Sequence, residues 1–133
     1  DMKDILNSKV KFREWYRPFA PFCKKEDADK YFESRNFDNL EYMSYAPRVK
    51  VDTLPSITHV DGTARLQTVT EESHSHFYEL LTEFGKISET NVLLNTSFNI
   101  RGYPILSTIK DALYALENTE MDYVVIEDYL FEL

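Results

Sequence analysis

Val92-Leu93-Leu94-Asn95-Thr96-Ser97-Phe98-Asn99-Ile100-Arg101-Gly102 is the stretch on which the fold of this chain turns. Val92, Leu93 and Leu94 form an apolar run with the length of a buried strand. It leads directly into two asparagines, two hydroxyls and an arginine followed by glycine. Ligands in open α/β sheets collect just beyond the carboxyl ends of strands. A loop this rich in donors can hold phosphate oxygens or a ribose. The same residues also suit a polar turn that satisfies its own backbone, and the segment by itself does not choose.

Working outward, Phe77, Leu80, Leu81 and Phe84 recur at helical spacing, and Gly85 is placed to end that helix. On the other side, Ser107 or Thr108 can cap a helix with Asp111 in its first turn, and Ile109, Leu113 and Leu116 share one face. Strands are expected at residues 123–126 and 129–131, and short helices at 4–8 and 26–32, with a loop at 34–39. Residues 49–51 read as a weak strand. Residues 55–60 and 65–70 read as a β-hairpin turning on Asp61-Gly62. The class is α+β, or mixed α/β: a single twisted sheet of mostly mixed pairing with flanking helices.

At 133 residues the chain fits one domain, 1–133, and its 43% apolar and 14% aromatic content marks it as globular. The chain opens on Asp1, which suggests a domain excised from a larger chain. No apolar run approaches the ~18 residues of a membrane span. The lone cysteine, Cys23, cannot form an internal disulfide; it suits a reducing, cytoplasmic setting and reads as a packing thiol. The net charge of −8 makes nucleic acid an unlikely partner.

That charge is uneven. Lys9, Lys11, Arg13, Arg17, Lys24 and Lys25 crowd the start, whereas residues 117–132 carry acids and no lysine or arginine. A basic cluster in an acidic chain points to a local anion site. Residues 9–13 alternate basic and apolar, as an extended segment with one charged face does. Lys11 and Arg13 would then point the same way, a point charge beside a planar fork, suited to phosphate. Taken alone, the run is explained better by a solvated strand edge.

A third segment, Thr58-His59-Val60-Asp61-Gly62-Thr63-Ala64-Arg65-Leu66-Gln67, gathers a histidine and an arginine about a tight turn. It is either a ligand-facing turn or a structural hairpin. His74 and His76 read as surface residues. The three histidines lack metal-ligand spacing, so no metal site is expected in this domain. With three glycines, the chain has no Walker-type loop.

Taken in order, three strings resemble the C-terminal region of the O-carbamoyltransferases typified by nodulation protein U and the cephamycin and tobramycin enzymes. They are Val10-Lys11-Phe12-Arg13-Glu14-Trp15-Tyr16-Arg17-Pro18-Phe19-Ala20-Pro21, His59-Val60-Asp61-Gly62-Thr63-Ala64-Arg65-Leu66-Gln67-Thr68-Val69 and Leu93-Leu94-Asn95-Thr96-Ser97-Phe98-Asn99-Ile100-Arg101-Gly102. Tyr103 departs from the acidic residue that members carry there.

The resemblance implies a YrdC-like domain that turns carbamoyl phosphate and ATP into carbamoyl adenylate, with Mg2+ arriving on the ATP. A separate N-terminal Kae1-like domain would then pass the carbamoyl group to a hydroxyl acceptor. The family's Lys-x-Arg and Ser-x-Asn elements fall on Lys11/Arg13 and Ser97/Asn99. On this reading Lys11, Arg13 and Arg17 act on the phosphates, and Asn95, Ser97 and Asn99 orient the nucleotide, with Arg101 in the same binding loop. His59 and Arg65 border the carbamoyl phosphate. The alternative is a non-catalytic module that binds nucleotide or RNA, or docks its partner domain.

Overall fold

The structure, a computed structural model, describes residues 2–133 and is mixed α/β. Its strands fall in two sheets rather than the single sheet expected: a three-stranded sheet of order β2 (Gln67–Val69), β1 (Ala20–Lys24), β3 (Val92–Asn95) and a two-stranded sheet of β4 (Val124–Ile126) and β5 (Tyr129–Phe131). The chain divides into two compact units, residues 18–96 and residues 2–17 with 97–133.

In the unit of residues 18–96, β1 (Ala20–Lys24) is central. β2 (Gln67–Val69) pairs parallel to it, Cys23 opposite Thr68, and β3 (Val92–Asn95) pairs antiparallel, Phe22 opposite Leu93. Pro21 sits in the middle strand, yet β1 still pairs on both sides because residues 22 and 23 carry both ladders. A 3-10 turn (Lys25–Asp27) and α2 (Ala28–Tyr31) follow β1, close to the helix expected at 26–32. Phe22, Val69 and Leu81 close the core with Leu93 against them. Cys23 is fully buried there, and burial pushes its thiol up to about 12, with Asp27 and Glu26 adding to the shift.

α3 runs Ser75–Ile87, past the residue expected to end it. Gly85 has another reason to lack a side chain: a Cβ there would meet the Asn91 Oδ1 at 2.3 Å. Of the apolar stripe on α3 only Leu81 is fully buried; Phe77 and Leu80 are each 52% exposed beside a shallow cleft lined by Phe22, Leu93 and Leu94.

The expected hairpin is not formed. The Asp61-Gly62 turn is present, with Gly62 at φ +78° and a His59 N–H···O Thr63 bond of 2.8 Å. Residues 55–60, however, are turns rather than a strand. Pro55 has no N–H to give a ladder, and the Leu54 carbonyl accepts instead from the Thr58 hydroxyl at 2.7 Å. Residues 67–69 pair with β1 in parallel, so the β-propensity after the turn was real and its partner was not local. Val49 contributes only an isolated bridge to Phe32.

In the other unit, α1 (Met2–Ile5) continues into a wide π-helical turn (Leu6–Val10). Residues 9–13 are therefore not the extended segment that their alternation predicted. The Lys11 N–H reaches back to the Leu6 carbonyl at 2.8 Å and the Arg13 N–H to the Asn7 carbonyl at 2.9 Å, while Phe12 takes a left-handed φ of +50°. Five alternating residues are too few to separate a strand from a distorted helix end.

α4 (Ile109–Asn118) is capped as expected: the Thr108 Oγ1 accepts from the Asp111 N–H at 3.1 Å and donates to its Oδ2 at 2.7 Å. It buries Ala112, Ala115 and Leu116, while Ile109 faces water. β4 (Val124–Ile126) and β5 (Tyr129–Phe131) form a hairpin, and Val124 packs against Ala112 and Leu116. Among the described residues no helix is long and apolar enough to cross a membrane.

Candidate anion-binding site

Six of the residues singled out from sequence fall in the unit of residues 2–17 and 97–133: Lys11, Arg13, Arg17, Ser97, Asn99 and Arg101. The most buried contact between the two segments is made by Lys11. Its side chain is nearly buried, at 6% exposure, and its Nζ donates to the Ser97 carbonyl, the Asn99 carbonyl and the Asn99 Oδ1, each at 2.7 Å. An ammonium has three donors, and all three are engaged. Burial lowers the Lys11 pKa, with Arg13 and Arg17 adding repulsion.

Asn99 is fixed from several sides. Its Oδ1 also accepts from the Ser97 hydroxyl at 2.7 Å, and its Nδ2 donates to the Tyr103 carbonyl at 3.2 Å. The loop then turns through Arg101-Gly102, the Tyr103 N–H bonding the Ile100 carbonyl at 3.0 Å and Gly102 at φ +82°. That turn requires positive φ at its third residue, which glycine adopts without steric cost. It leaves Arg101 exposed on the loop, with Nη1 donating to the Phe12 carbonyl at 3.2 Å.

Arg17 and Arg101 approach one carboxylate. Glu14 lies 3.6 Å from the Arg17 Nη1 and 3.9 Å from the Arg101 Nη2. The Glu14 carboxyl is held below its usual range by its own backbone N–H, with Arg101 and Arg17 contributing. An exposed carboxylate between two guanidiniums marks a position where an anion is electrostatically favoured. At distances this long the ion pairs are weak enough for a better anion to replace them. Lys9 instead pairs with Glu120 at 2.5 Å on the surface.

His59, Arg65 and Asn95 belong to the other unit. The Asp61 Oδ1 takes the Thr63 hydroxyl proton at 2.7 Å, so the His59 Nδ1, 2.9 Å from that hydroxyl oxygen, is the donor in their bond. This fixes the tautomer of neutral His59 and makes Nε2 its acceptor nitrogen. Arg65 is exposed, and Asn95 at the end of β3 donates to the Gln67 Oε1 at 2.5 Å. Among the described residues, no hydrogen bond or ion pair joins these three to one another.

Two contributors escaped sequence reading. Glu14 left a faint signal as the lone acid among the four bases between residues 9 and 17. Asn7 left none. It lies outside the basic run, and its role arises only because the chain folds back upon it: the Asn7 Oδ1 accepts from the Arg13 Nε at 2.7 Å.

Comparison with known proteins agrees with the strings quoted above. The family described as Carbamoyltransferase C-terminus matches residues 1–132. Nodulation protein NolO of Bradyrhizobium diazoefficiens is 41% identical over 96% of this chain, and the 3'-hydroxymethylcephem-O-carbamoyltransferase of Streptomyces clavuligerus is 39% identical over 95%. Nodulation protein U of Rhizobium tropici is 37% identical over 98%. The chain spans 24%, 24% and 22% of these three relatives, so it matches about a quarter of each. This chain belongs to the carbamoyltransferase C-terminus family.

Proposed function

We propose that this chain is the activating part of an O-carbamoyltransferase, binding ATP and carbamoyl phosphate and forming carbamoyl adenylate. A separate N-terminal Kae1-like domain then passes the carbamoyl group to a hydroxyl acceptor. The observation that carries the reading is the Lys11 bridge, which brings the basic segment and the asparagine loop together in one unit.

In the proposed reaction, water cleaves carbamoyl phosphate to carbamate and inorganic phosphate, and a carbamate oxygen then attacks the α-phosphorus of ATP as the bond to the departing pyrophosphate breaks. Negative charge grows on the phosphoryl oxygens, and pre-placed cations stabilise it without reorganising. Arg13, Arg17 and Arg101 supply guanidinium forks for those oxygens. Lys11 holds Ser97 and Asn99 in place and adds its own charge behind them. Asn95 orients the nucleotide, Arg65 donates to the carbamoyl phosphate oxygens, and the His59 Nε2 accepts from the carbamoyl N–H. Mg2+ enters as part of the ATP substrate. The cytoplasm is the compartment that supplies ATP to such a reaction.

Calorimetry of the complete protein with ATP, and then with carbamoyl phosphate, tests the reading. Arg13→Ala is expected to weaken ATP binding by about 10- to 100-fold, the worth of a charge-assisted contact, and Lys11→Ala by about tenfold, through release of the loop it holds. Unchanged ATP affinity in both variants would overturn it.

A further inference from the structure

Asn7 is 1% exposed, and an amide buried this deeply is costly unless it is fully hydrogen-bonded. It is: besides accepting from the Arg13 Nε, it donates from Nδ2 to the Arg17 carbonyl at 2.9 Å and to the Trp15 carbonyl at 3.3 Å. The amide's orientation is not in question. The Arg13 Nε can only donate and the two carbonyls can only accept, so the oxygen must face the arginine. The Asn7 main chain takes part as well, its carbonyl accepting the Arg13 N–H at 2.9 Å.

We infer that Asn7 is a positioning residue of the anion site, fixing the Arg13 guanidinium and the backbone of residues 15 and 17 for a phosphate-bearing ligand. The inference rests on the phosphate reading of this site. In arginine the Nε, the central carbon and both terminal nitrogens are coplanar, so holding the Nε–H sets the plane of the whole fork. Asn7 thus orients one arginine through its side chain and another, Arg17, through its main chain.

The segment it organises has no regular structure to do this. Residues 11–17 contain no helix or strand, and Phe12 sits at φ +50° near their start. A non-glycine residue in that region persists only where its surroundings over-determine it. The bonds from Asn7 to residues 13, 15 and 17 supply that constraint just beyond the strained residue.

A double-mutant cycle on the complete protein, with ATP titrations by calorimetry, separates positioning from general support. Asn7→Ala is expected to weaken ATP binding about tenfold in the wild-type background but less than about twofold when Arg13→Ala is already present, because coupled residues do not add. Equal losses in the two backgrounds, or no loss in the wild type, would overturn the inference while leaving the phosphate reading intact. If Arg13→Ala leaves ATP affinity unchanged, Arg13 does not meet the phosphate and the inference falls; if Lys11→Ala is silent as well, the phosphate reading falls with it. Should Asn7→Ala melt below the assay temperature, Asn7→Ser, whose hydroxyl takes the place of the amide carbon and falls short of the Arg13 Nε, replaces it in both backgrounds with the same expectations.

Discussion

Replacing Lys11 with methionine keeps most of the aliphatic stem and removes the ammonium. Three acceptors then lose a donor, but unequally. The Ser97 carbonyl keeps the Asn99 N–H at 3.1 Å, and the Asn99 Oδ1 keeps the Ser97 hydroxyl at 2.7 Å. The Asn99 carbonyl loses its bond from Lys11 outright. An unsatisfied buried polar group costs about 1–3 kcal/mol, and each lost bond from a charged donor a comparable amount. Two terms reduce the sum: Asn99 is only half-buried, so water can reach it, and Lys11 no longer opposes Arg13 and Arg17. The net expectation is a local destabilisation of about 1–3 kcal/mol, less than three full bonds would suggest.

Hydrogen exchange reads this where it occurs. The Asn99 N–H and the Leu106 N–H, the latter bonded to the Phe98 carbonyl at 2.9 Å, close the loop that Lys11 holds. A loss of 1–3 kcal/mol corresponds to exchange about 5- to 150-fold faster at those amides. Lys11→Arg is expected to behave nearly as badly, because a planar fork cannot converge on three acceptors around one point. Lys9→Met is the control: its ion pair with Glu120 is solvent-exposed, and such pairs contribute about 0–1 kcal/mol. Exchange at Asn99 and Leu106 that is no faster in Lys11→Met than in Lys9→Met would refute the claim that Lys11 organises the loop.

Cys23 should resist thiol reagents in the native state and react only on unfolding. Its folded pKa of about 12 stands above the unfolded value, so its contribution to stability is complete below about pH 9 and is lost as pH rises from there through 12, some 4 kcal/mol in all, readable by urea unfolding across that range against Cys23→Ala. Gly85→Ala should displace the Asn91 side chain, since a Cβ would lie 2.3 Å from the Asn91 Oδ1, and break the Asn91 Nδ2 bond to Asp27; that loss should offset the about 1 kcal/mol that alanine gains in a helix and leave stability within about 1 kcal/mol of wild type in the same urea assay. Thr108→Ala should cost about 1 kcal/mol by removal of the α4 cap, measured by thermal melting.

Elements whose signals are local were legible in the sequence. The cap at Thr108, the strands at 124–126 and 129–131, the core strand after residue 91 and the helix around Leu81 are all where local rules place them. The failures share one cause. A strand is defined by its partner, and the residues at 67–69 carry no mark saying that β1, more than forty residues earlier, is that partner rather than the segment across the Asp61-Gly62 turn. The stripe on the helix at 75–87 was legible from its spacing, yet periodicity reports which residues share a face and not what covers it. Phe77 and Leu80 share that face with Leu81 and remain half-exposed.

The candidate site shows the same division at finer scale. Residue types announced a basic segment and a donor-rich loop, and the resemblance to known carbamoyltransferases set them side by side. Neither source gave the geometry, because that geometry is made by a lysine turned inward and an asparagine outside both motifs. Lys11 looked like a ligand-facing cation when residues 9–13 were read as extended. Once the chain instead wraps a wide turn at Leu6–Val10, its ammonium points into the loop at 97–99, and Arg13, Arg17 and Arg101 become the cations best placed to meet a phosphate. Under the proposed function, positive charge does two jobs in this unit: Lys11 is structural, and Arg13, Arg17 and Arg101 face the ligand. Substitutions at Lys11 and Arg13 should be told apart by loop exchange, which Lys11→Met accelerates and Arg13→Ala leaves nearly unchanged, although both weaken ATP binding.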